Sequence, residues 1–293
     1  QITGQGTRTI NLKSTDSLPP FEKNELKEIL DFVIETAKLA GKYQLKYFGK
    51  ITDIKTKSTD IDLVTKVDIE SEKIIIKKIK NKFPHHSIIS EENNSEISSD
   101  IFEWVIDPLD GTTNFVHNLP IFSVSIGLMY NKKPILGVVY NPAANKCFSA
   151  AKGIGSYLNG KRIYVSKNNN LKSSLIVTGF PYKHDAKWNC SFDIFKEFYS
   201  KTQGLRRLGA ASLDLCFVAM GRFEGFYEFN LEIWDICAGV IIAKEAGANI
   251  SDWDGGELPL SGSRILCTNR LIHNEMVDIL TDENYSIFFK KNT

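Results

Sequence analysis

At 293 residues, with 42% hydrophobic and 24% charged side chains, the chain has the make-up of an ordinary globular protein, large for one core and small for two independent ones. Its 36 Lys and Arg balance 35 Asp and Glu to a net charge of +1, which leaves no electrostatic case for nucleic-acid binding. No apolar run approaches the roughly 18–20 residues that span a bilayer and no signal peptide is visible, so no membrane partner is expected.

Residues 1–20 are polar and end in Pro19-Pro20, and read as a disordered arm or a cloning remnant. The rest, 21–293, is expected to form a single domain with two lobes, about 21–165 and 166–293. Leu26, Ile29, Leu30, Val33, Ala37 and Ala40 recur at helical spacing and predict a helix from about Phe21 to Phe48, stopped by Gly49. Asp68 then reads as the cap of a helix carrying Ile69, Ile74, Ile75 and Ile79. Strand patterns follow at Ile88-Ile89 and Trp104–Ile106. Phe122–Met129 and Ile135–Tyr140 predict a hairpin, and Lys146–Ala151 with the Asn159-Gly160 turn extends the β region. Farther on, strands at Leu175–Thr178, Leu205–Leu208 and Phe223–Glu228 alternate with helices at Phe192–Tyr199, Ala211–Met220 and Asp235–Ala246. The pattern predicts an α/β layered sandwich.

The chemistry concentrates in Trp104-Val-Ile-Asp107-Pro-Leu-Asp110-Gly-Thr-Thr-Asn114, where an apolar strand is expected to end in two carboxylates three residues apart. Pro108 fixes φ and turns the chain, Gly111 permits close backbone approach, and Thr112 can open a helix. Asp107, Asp110 and the carbonyl between them can then converge, as Mg²⁺ prefers. The new helix end offers N–H groups to an anion such as phosphate. Each acidic site also has a plainer reading. An isolated Asp-Gly is usually a turn, Glu91-Glu92 after Ile88-Ile89 could be a solvated loop, and Asp235 ahead of an apolar helix could be an N-cap. Together they supply four or more carboxylates for a multi-cation site.

The strings Asp107-Pro-Leu-Asp-Gly-Thr-Thr-Asn-Phe-Val-His117 and Trp234-Asp-Ile-Cys-Ala-Gly239 closely resemble the two signatures of the inositol monophosphatase family. The likeness continues through Lys57…Asp62-Leu-Val-Thr-Lys-Val-Asp68, Glu91-Glu92, Gly179-Phe-Pro-Tyr182 and Arg206-Arg-Leu-Gly-Ala-Ala211, and covers roughly residues 22–280, closer to the bacterial and organellar branch. It departs at Cys237, slightly larger than the usual residue there, and at Ser90, where Gly is common. Neither change removes a ligand.

The resemblance implies that family's fold, of alternating αβαβα layers, and a Mg²⁺-dependent phosphomonoesterase that hydrolyses inositol monophosphate, or a similar polyol phosphate, with a cation-activated water. It implies two to three Mg²⁺ ions per subunit. Glu91, Asp107 and the Leu109 carbonyl would hold the first; Asp107, Asp110 and Asp235 the second; a weaker third would sit by Glu91. Asp68 would hydrogen-bond Thr112, which with Glu91 would position and deprotonate the water. The Gly111 and Thr112 amides would cradle phosphate. Glu91, Leu109, Asp110 and Asp235 would meet the substrate as well as metal, and Gly209, Ala210, Ala211 and Glu228 would line the hydroxyl side. Lithium sensitivity and a homodimer are also implied. So are rival substrates on the same scaffold: histidinol phosphate, a sugar 1-phosphate or fructose bisphosphate. Some bacterial relatives bind the transcription machinery, which keeps a partner-binding regulator open.

Other features mislead or stay neutral. Cys216…Arg222 has the C-x5-R spacing of cysteine phosphatases, but its apolar helical context predicts a buried structural thiol. Cys147, Cys190, Cys216, Cys237 and Cys267 are odd in number with no C-x-x-C spacing, which argues against disulfides or zinc and suits a reducing, cytoplasmic setting, or an organelle if a transit peptide was removed. His117 is as suited to packing as to catalysis, Lys57 could offset the acidic cluster, and Arg206-Arg207 could attract phosphate or brace acidic loops.

Overall fold

The computed structural model describes residues 21–50, 54–56, 63–92, 101–260 and 263–286. The arm expected over 1–20, Lys57, and Asp62 at the head of its string fall outside them.

The N-terminal periodicity forms helix α1 (Lys23–Leu45), which buries all six of the apolar residues that predict it. A short antiparallel ribbon, β1 (Ile54–Thr56) with β2 (Leu63–Thr65), leads into α2 (Lys66–Lys82). Next come β3 (Ser87–Ser90), β4 (Phe102–Asp110), a one-turn helix α3 (Thr112–Val116), then β5 (Ser123–Tyr130), β6 (Lys133–Asn141), β7 (Lys146–Ala151), β8 (Gly155–Leu158) and β9 (Lys161–Arg162). The seven strands β3 to β9 form one sheet in chain order, parallel only at β3–β4. The β5–β6 turn holds Asn131 and Lys132 at φ 48° and 60°, and the β8–β9 turn holds Asn159 and Gly160 at 48° and 77°, the left-handed pair that tight hairpins need.

The second half supplies β10 (Leu175–Thr178), α4 (Ala186–Lys201), β11 (Gly204–Arg206), α5 (Ala211–Ala219), β12 (Gly225–Leu231), α6 (Ile233–Glu245), β13 (Asn249–Ser251), β14 (Ser263–Thr268), α7 (His273–Leu280) and α8 (Glu283–Ser286). Its five strands run in the order β11-β10-β12-β14-β13. Three apolar cores join the layers. α1 and α2 cover one face of the seven-stranded sheet through Val33, Ile75, Trp104 and Val138. α5 and α6 fill the space between the sheets through Leu213, Ile242, Phe148 and Phe226. α4 and α7 close the far face through Ile194, Phe198, Met276 and Leu266. The result is the layered α/β sandwich the pattern predicts, with the αβαβα alternation the resemblance implies.

Two glycines seat α6. Gly127 of β5 and Gly137 of β6 face one another in register. A Cβ at Gly127 would lie 2.6 Å from Cys237 Sγ, and one at Gly137 2.6 Å from the Ala238 carbonyl oxygen. The bare backbone lets α6 lie directly on the sheet, so the modest extra bulk of Cys237 is met by a missing side chain opposite.

Several boundaries differ from expectation, each for a local reason. β4 does not end at Asp107 but runs to Asp110 through a bulge, since Asp107 pairs with Ser125 and Asp110 with Ser123. Pro108, which cannot donate to a ladder, sits in that bulge, and its carbonyl accepts from Gln44 Nε2 at 2.7 Å. Asp68 is not a cap: it is the third residue of α2, which starts at Lys66. Asp235 is not the N-cap of α6 either. Glu232 holds that place, and Asp235 Oδ2 accepts its N–H at 2.7 Å from the third helical position. Glu228 is not a strand-end acid but lies inside β12, where the register shifts before Leu231.

Candidate active site

Three chain ends meet at one side of the layers. Glu91 follows β3, and its N–H continues the ladder to Ile106 O at 3.2 Å. The β4 bulge turns Asp107 and Asp110 toward the same space, and α6 brings Asp235. A cavity of about 450 Å³ opens there. It is lined by Glu91, Asp107, Leu109, Asp110, Gly111 and Thr112 from the first half of the chain, and by Gly209, Ala210, Ala211, Glu228 and Asp235, with Phe180, Tyr182, Arg207 and Trp234, from the second. Every residue expected at the site except Asp68 lines it.

Asp68 is buried just behind. Thr112 Oγ1 stands 3.3 Å from Asp68 Oδ2 and 3.0 Å from the Leu109 carbonyl, so one hydroxyl proton has two acceptors. Asp68, Glu91 and Glu92 each bring an oxygen within 4.8 Å of the others. No three of Glu91, Asp107, Asp110 and Asp235 close up so tightly. Burial and the neighbouring carboxylates act on Asp107 and Asp235 together. Burial, then Glu91, Asp110, Asp235 and Asp68, push the Asp107 carboxyl well above the usual carboxylate range, although its Oδ1 accepts the Leu109 N–H at 3.0 Å. Burial, then Asp110, do the same to Asp235. Burial raises Glu228 to about 8 against the pull of Arg207. Buried carboxylates that raise one another in this way, with hard oxygens facing a shared space, are the donor set a divalent cation suits.

Asp110 has a second duty. Burial raises it to about 6, opposed by hydrogen bonds from Ser212 and from the Ala211 backbone. Ser212 N and Oγ donate to Asp110 Oδ2 at 2.9 and 2.5 Å. Ala210, the N-cap of α5, has no polar side chain to offer, so Asp110 at the end of β4 satisfies that helix end. Asn114 makes a parallel tie. Its Nδ2 donates to Ile121 O and to Leu208 O, both at 2.8 Å, fastening the first acidic turn to the 207–210 loop. Gly111 sits at φ 85°, and a Cβ there would come within 2.8 Å of Ile121 O.

Sequence reasoning gave Ser212, Asn114 and Gln44 no role. Asn114 stood inside the quoted string, whose length beyond Thr112 was the available signal. Ser212 and Gln44 act through partners 102 and 64 residues away and carry no local mark. His117 is exposed beyond α3, and neither packs against a strand nor lines the cavity. Cys216 is buried in α5, where burial and Asp110 hold its thiol well above the ordinary value, as a structural cysteine requires.

Layers and cavity together belong to a class: phosphoric monoester hydrolases built on alternating sheets and helices. The chain is a member of the inositol monophosphatase family, whose model matches residues 25–284. It is 41% identical over 263 residues to the inositol-1-monophosphatase of Synechocystis sp., covering 89% of this chain and 92% of that one. It is 40% identical over 258 residues to the putative Nus factor SuhB of Neisseria meningitidis serogroup B, covering 87% and 99%. Among solved structures, the inositol monophosphatase from Anabaena (Nostoc) sp. superposes with a TM-score of 0.77 at 37% identity, covering 87% of this chain and 96% of that one.

Proposed function

We propose that the chain hydrolyses the phosphate monoester of a small polyol, inositol monophosphate foremost, to the free alcohol and phosphate. One observation carries the reading: Glu91, Asp107, Asp110 and Asp235, from three distant segments, line one cavity beside the Gly111–Thr112 turn. In it, Glu91, Asp107 and the Leu109 carbonyl would hold one Mg²⁺, Asp107, Asp110 and Asp235 would hold a second, and a weaker third would lie by Glu91. When bound, these ions supply the positive charge that four carboxylates and a phosphate dianion both call for, and they polarise water for attack.

The protein's own groups do the rest. Glu91 takes the proton of the attacking water. Thr112, oriented by Asp68 and the Leu109 carbonyl, fixes that water's direction. The Gly111 and Thr112 amides steady the phosphate. Gly209, Ala210 and Ala211 leave room for the alcohol, and Glu228 receives its hydroxyls. The name of the Synechocystis relative supports inositol 1-phosphate over histidinol phosphate or a sugar 1-phosphate, and fructose bisphosphate stays the rival because the Aquifex aeolicus relative, also 41% identical, is named for both activities. Lithium inhibition, a homodimer and a cytoplasmic setting belong to the same reading.

Phosphate release from inositol 1-phosphate, histidinol phosphate, galactose 1-phosphate and fructose 1,6-bisphosphate, with and without Mg²⁺, is the test. Strongest Mg²⁺-dependent turnover of inositol 1-phosphate is expected; faster turnover of another ester would replace the substrate, and metal-independent turnover would end the cation assignment. A second reading, partner binding, rests on the name of the Neisseria relative. It expects a transcription-complex interaction that survives in Asp110→Asn while phosphate release is lost.

A further inference from the structure

One glycine at the cavity is left without a task. Gly179 follows β10 directly, is buried and lines the cavity. Its φ is not in the left-handed region, so the backbone there gives no conformational reason for a glycine. The reason lies in what a side chain would meet. The three atoms nearest to a Cβ at Gly179 are Oε1, Cδ and Oε2 of Glu228, all inside the 3.0 Å that real Cβ atoms keep. The Glu228 carboxylate therefore rests on bare main chain, in the space that any other residue at 179 would fill.

The strands hold that contact in place. β10 and β12 run parallel, with Val177 paired to Phe226 and Thr178 to Tyr227, so the ladder ends where Gly179 draws level with Glu228. The buried Thr178 hydroxyl donates to Tyr227 O at 2.7 Å, which ties the two main chains together one residue before the contact. On its other edge Glu228 is paired with Ile265 of β14. Neither main chain can retreat from an added Cβ without breaking these bonds, whereas the carboxylate sits at the far end of a flexible side chain. The carboxylate is what would move, and because Glu228 lines the cavity, what the cavity offers to an alcohol would change with it.

We propose that Gly179 is a positioning residue that acts through Glu228: its missing side chain is the seat of the Glu228 carboxylate and sets where the cavity presents that acceptor to the hydroxyls of the leaving alcohol. The inference rests on the reading of Glu228 as the hydroxyl acceptor. It makes Gly179 a determinant of the preference for polyol esters, separate from the groups that act at phosphorus.

The experiment compares inositol 1-phosphate with 4-nitrophenyl phosphate, an ester that has no hydroxyl for Glu228 to accept. In Gly179→Ala the ratio of kcat/KM for the first ester to that for the second should fall about tenfold, the worth of one hydrogen bond to a charged group, with the change carried by KM for inositol 1-phosphate. In a Glu228→Ala background the obstruction is gone, and Gly179→Ala should move the ratio by less than about twofold. An unchanged ratio in Gly179→Ala, equal losses on both esters, or a full effect that persists in the Glu228→Ala background would overturn the positioning role and leave the Glu228 reading intact. A ratio left at the parent value by Glu228→Ala alone would overturn both. If Gly179→Ala does not fold, a folded Gly179→Ala/Glu228→Ala protein would support the collision, and an unfolded one would overturn it.

Discussion

Removing the negative charge of Asp110 should make the metal-free protein more stable while stopping its chemistry. Asp110→Asn keeps an oxygen that can accept from Ser212 N and Oγ, so the tie to α5 survives. It removes a carboxylate that burial raises from 3.8 to about 6. An acid whose folded-state pKa is raised subtracts stability as pH climbs: nothing is lost below the unfolded value, and the loss is complete above the folded one. At ~1.36 kcal/mol per pKa unit the rise is worth about 3 kcal/mol. That shift already includes the hydrogen bonds from Ser212 and Ala211, and enclosing an amide NH₂ in place of a carboxylate oxygen returns about 1 kcal/mol. The net gain is about 2 kcal/mol, or about 4 °C in Tm for a chain of this length. Thermal melts in EDTA at pH 8 should show it, and at pH 5 the two proteins should converge. Saturating Mg²⁺ should reverse the order, because only the parent keeps the full ligand set. Phosphate release by the variant should be abolished. A variant that melts below its parent in EDTA at pH 8, or gains as much from Mg²⁺, would refute the reasoning.

Three further outcomes follow from the packing and the polar ties. Gly137→Ala should cost about 2–3 kcal/mol by urea denaturation, since its Cβ would meet the Ala238 backbone. Gly127→Ala should cost less and recover with Cys237→Ala, because there the obstruction is mainly a thiol; equal costs without rescue would contradict the seating of α6. Asn114→Asp turns a carboxylate onto the Ile121 and Leu208 carbonyls, and should lower both Tm and kcat/KM, the latter roughly tenfold or more. Unaltered kinetics would mean that the 207–210 loop holds its place unaided. His273, enclosed between Ser251 Oγ and Thr268 Oγ1 at 3.0 Å each, has its pKa lowered from 6.5 by burial. Its contribution is whole above pH 6.5 and is lost as acid protonates the unfolded chain first. Relative to His273→Gln, the parent should therefore lose stability between pH 7.5 and 5.5, whatever the buried carboxyls contribute equally to both.

What could be read from the sequence followed the range of each interaction. α1 was legible because its apolar face repeats along one continuous segment, and the hairpins because Asn-Lys and Asn-Gly specify their own turns. The acidic residues were legible through the strings that hold them, yet their settings were not. Nothing near Asp107 marks the bulge that carries β4 on to Asp110, because the extra residue appears only against Ser123 and Ser125 of the next strand. Asp235 resembles an N-cap until Glu232 is seen holding that place. The ties from Ser212 and Gln44 join residues with no sequence neighbourhood in common, so only the folded chain displays them. The elements after residue 247, β13, β14, α7 and α8, went unpredicted; the two strands are short and take their places from the sheet they join.

The bare pair Gly127 and Gly137 sets a hard stop beneath α6. Where main chain rests on main chain there is no rotamer to adjust, so the helix has a single depth and a single register. Asp235, at the head of that helix, inherits this fixity, and its distance from Asp107 is settled by two residues that never meet the substrate. Drift at either glycine would be felt first as a displaced carboxylate rather than as a loosened core.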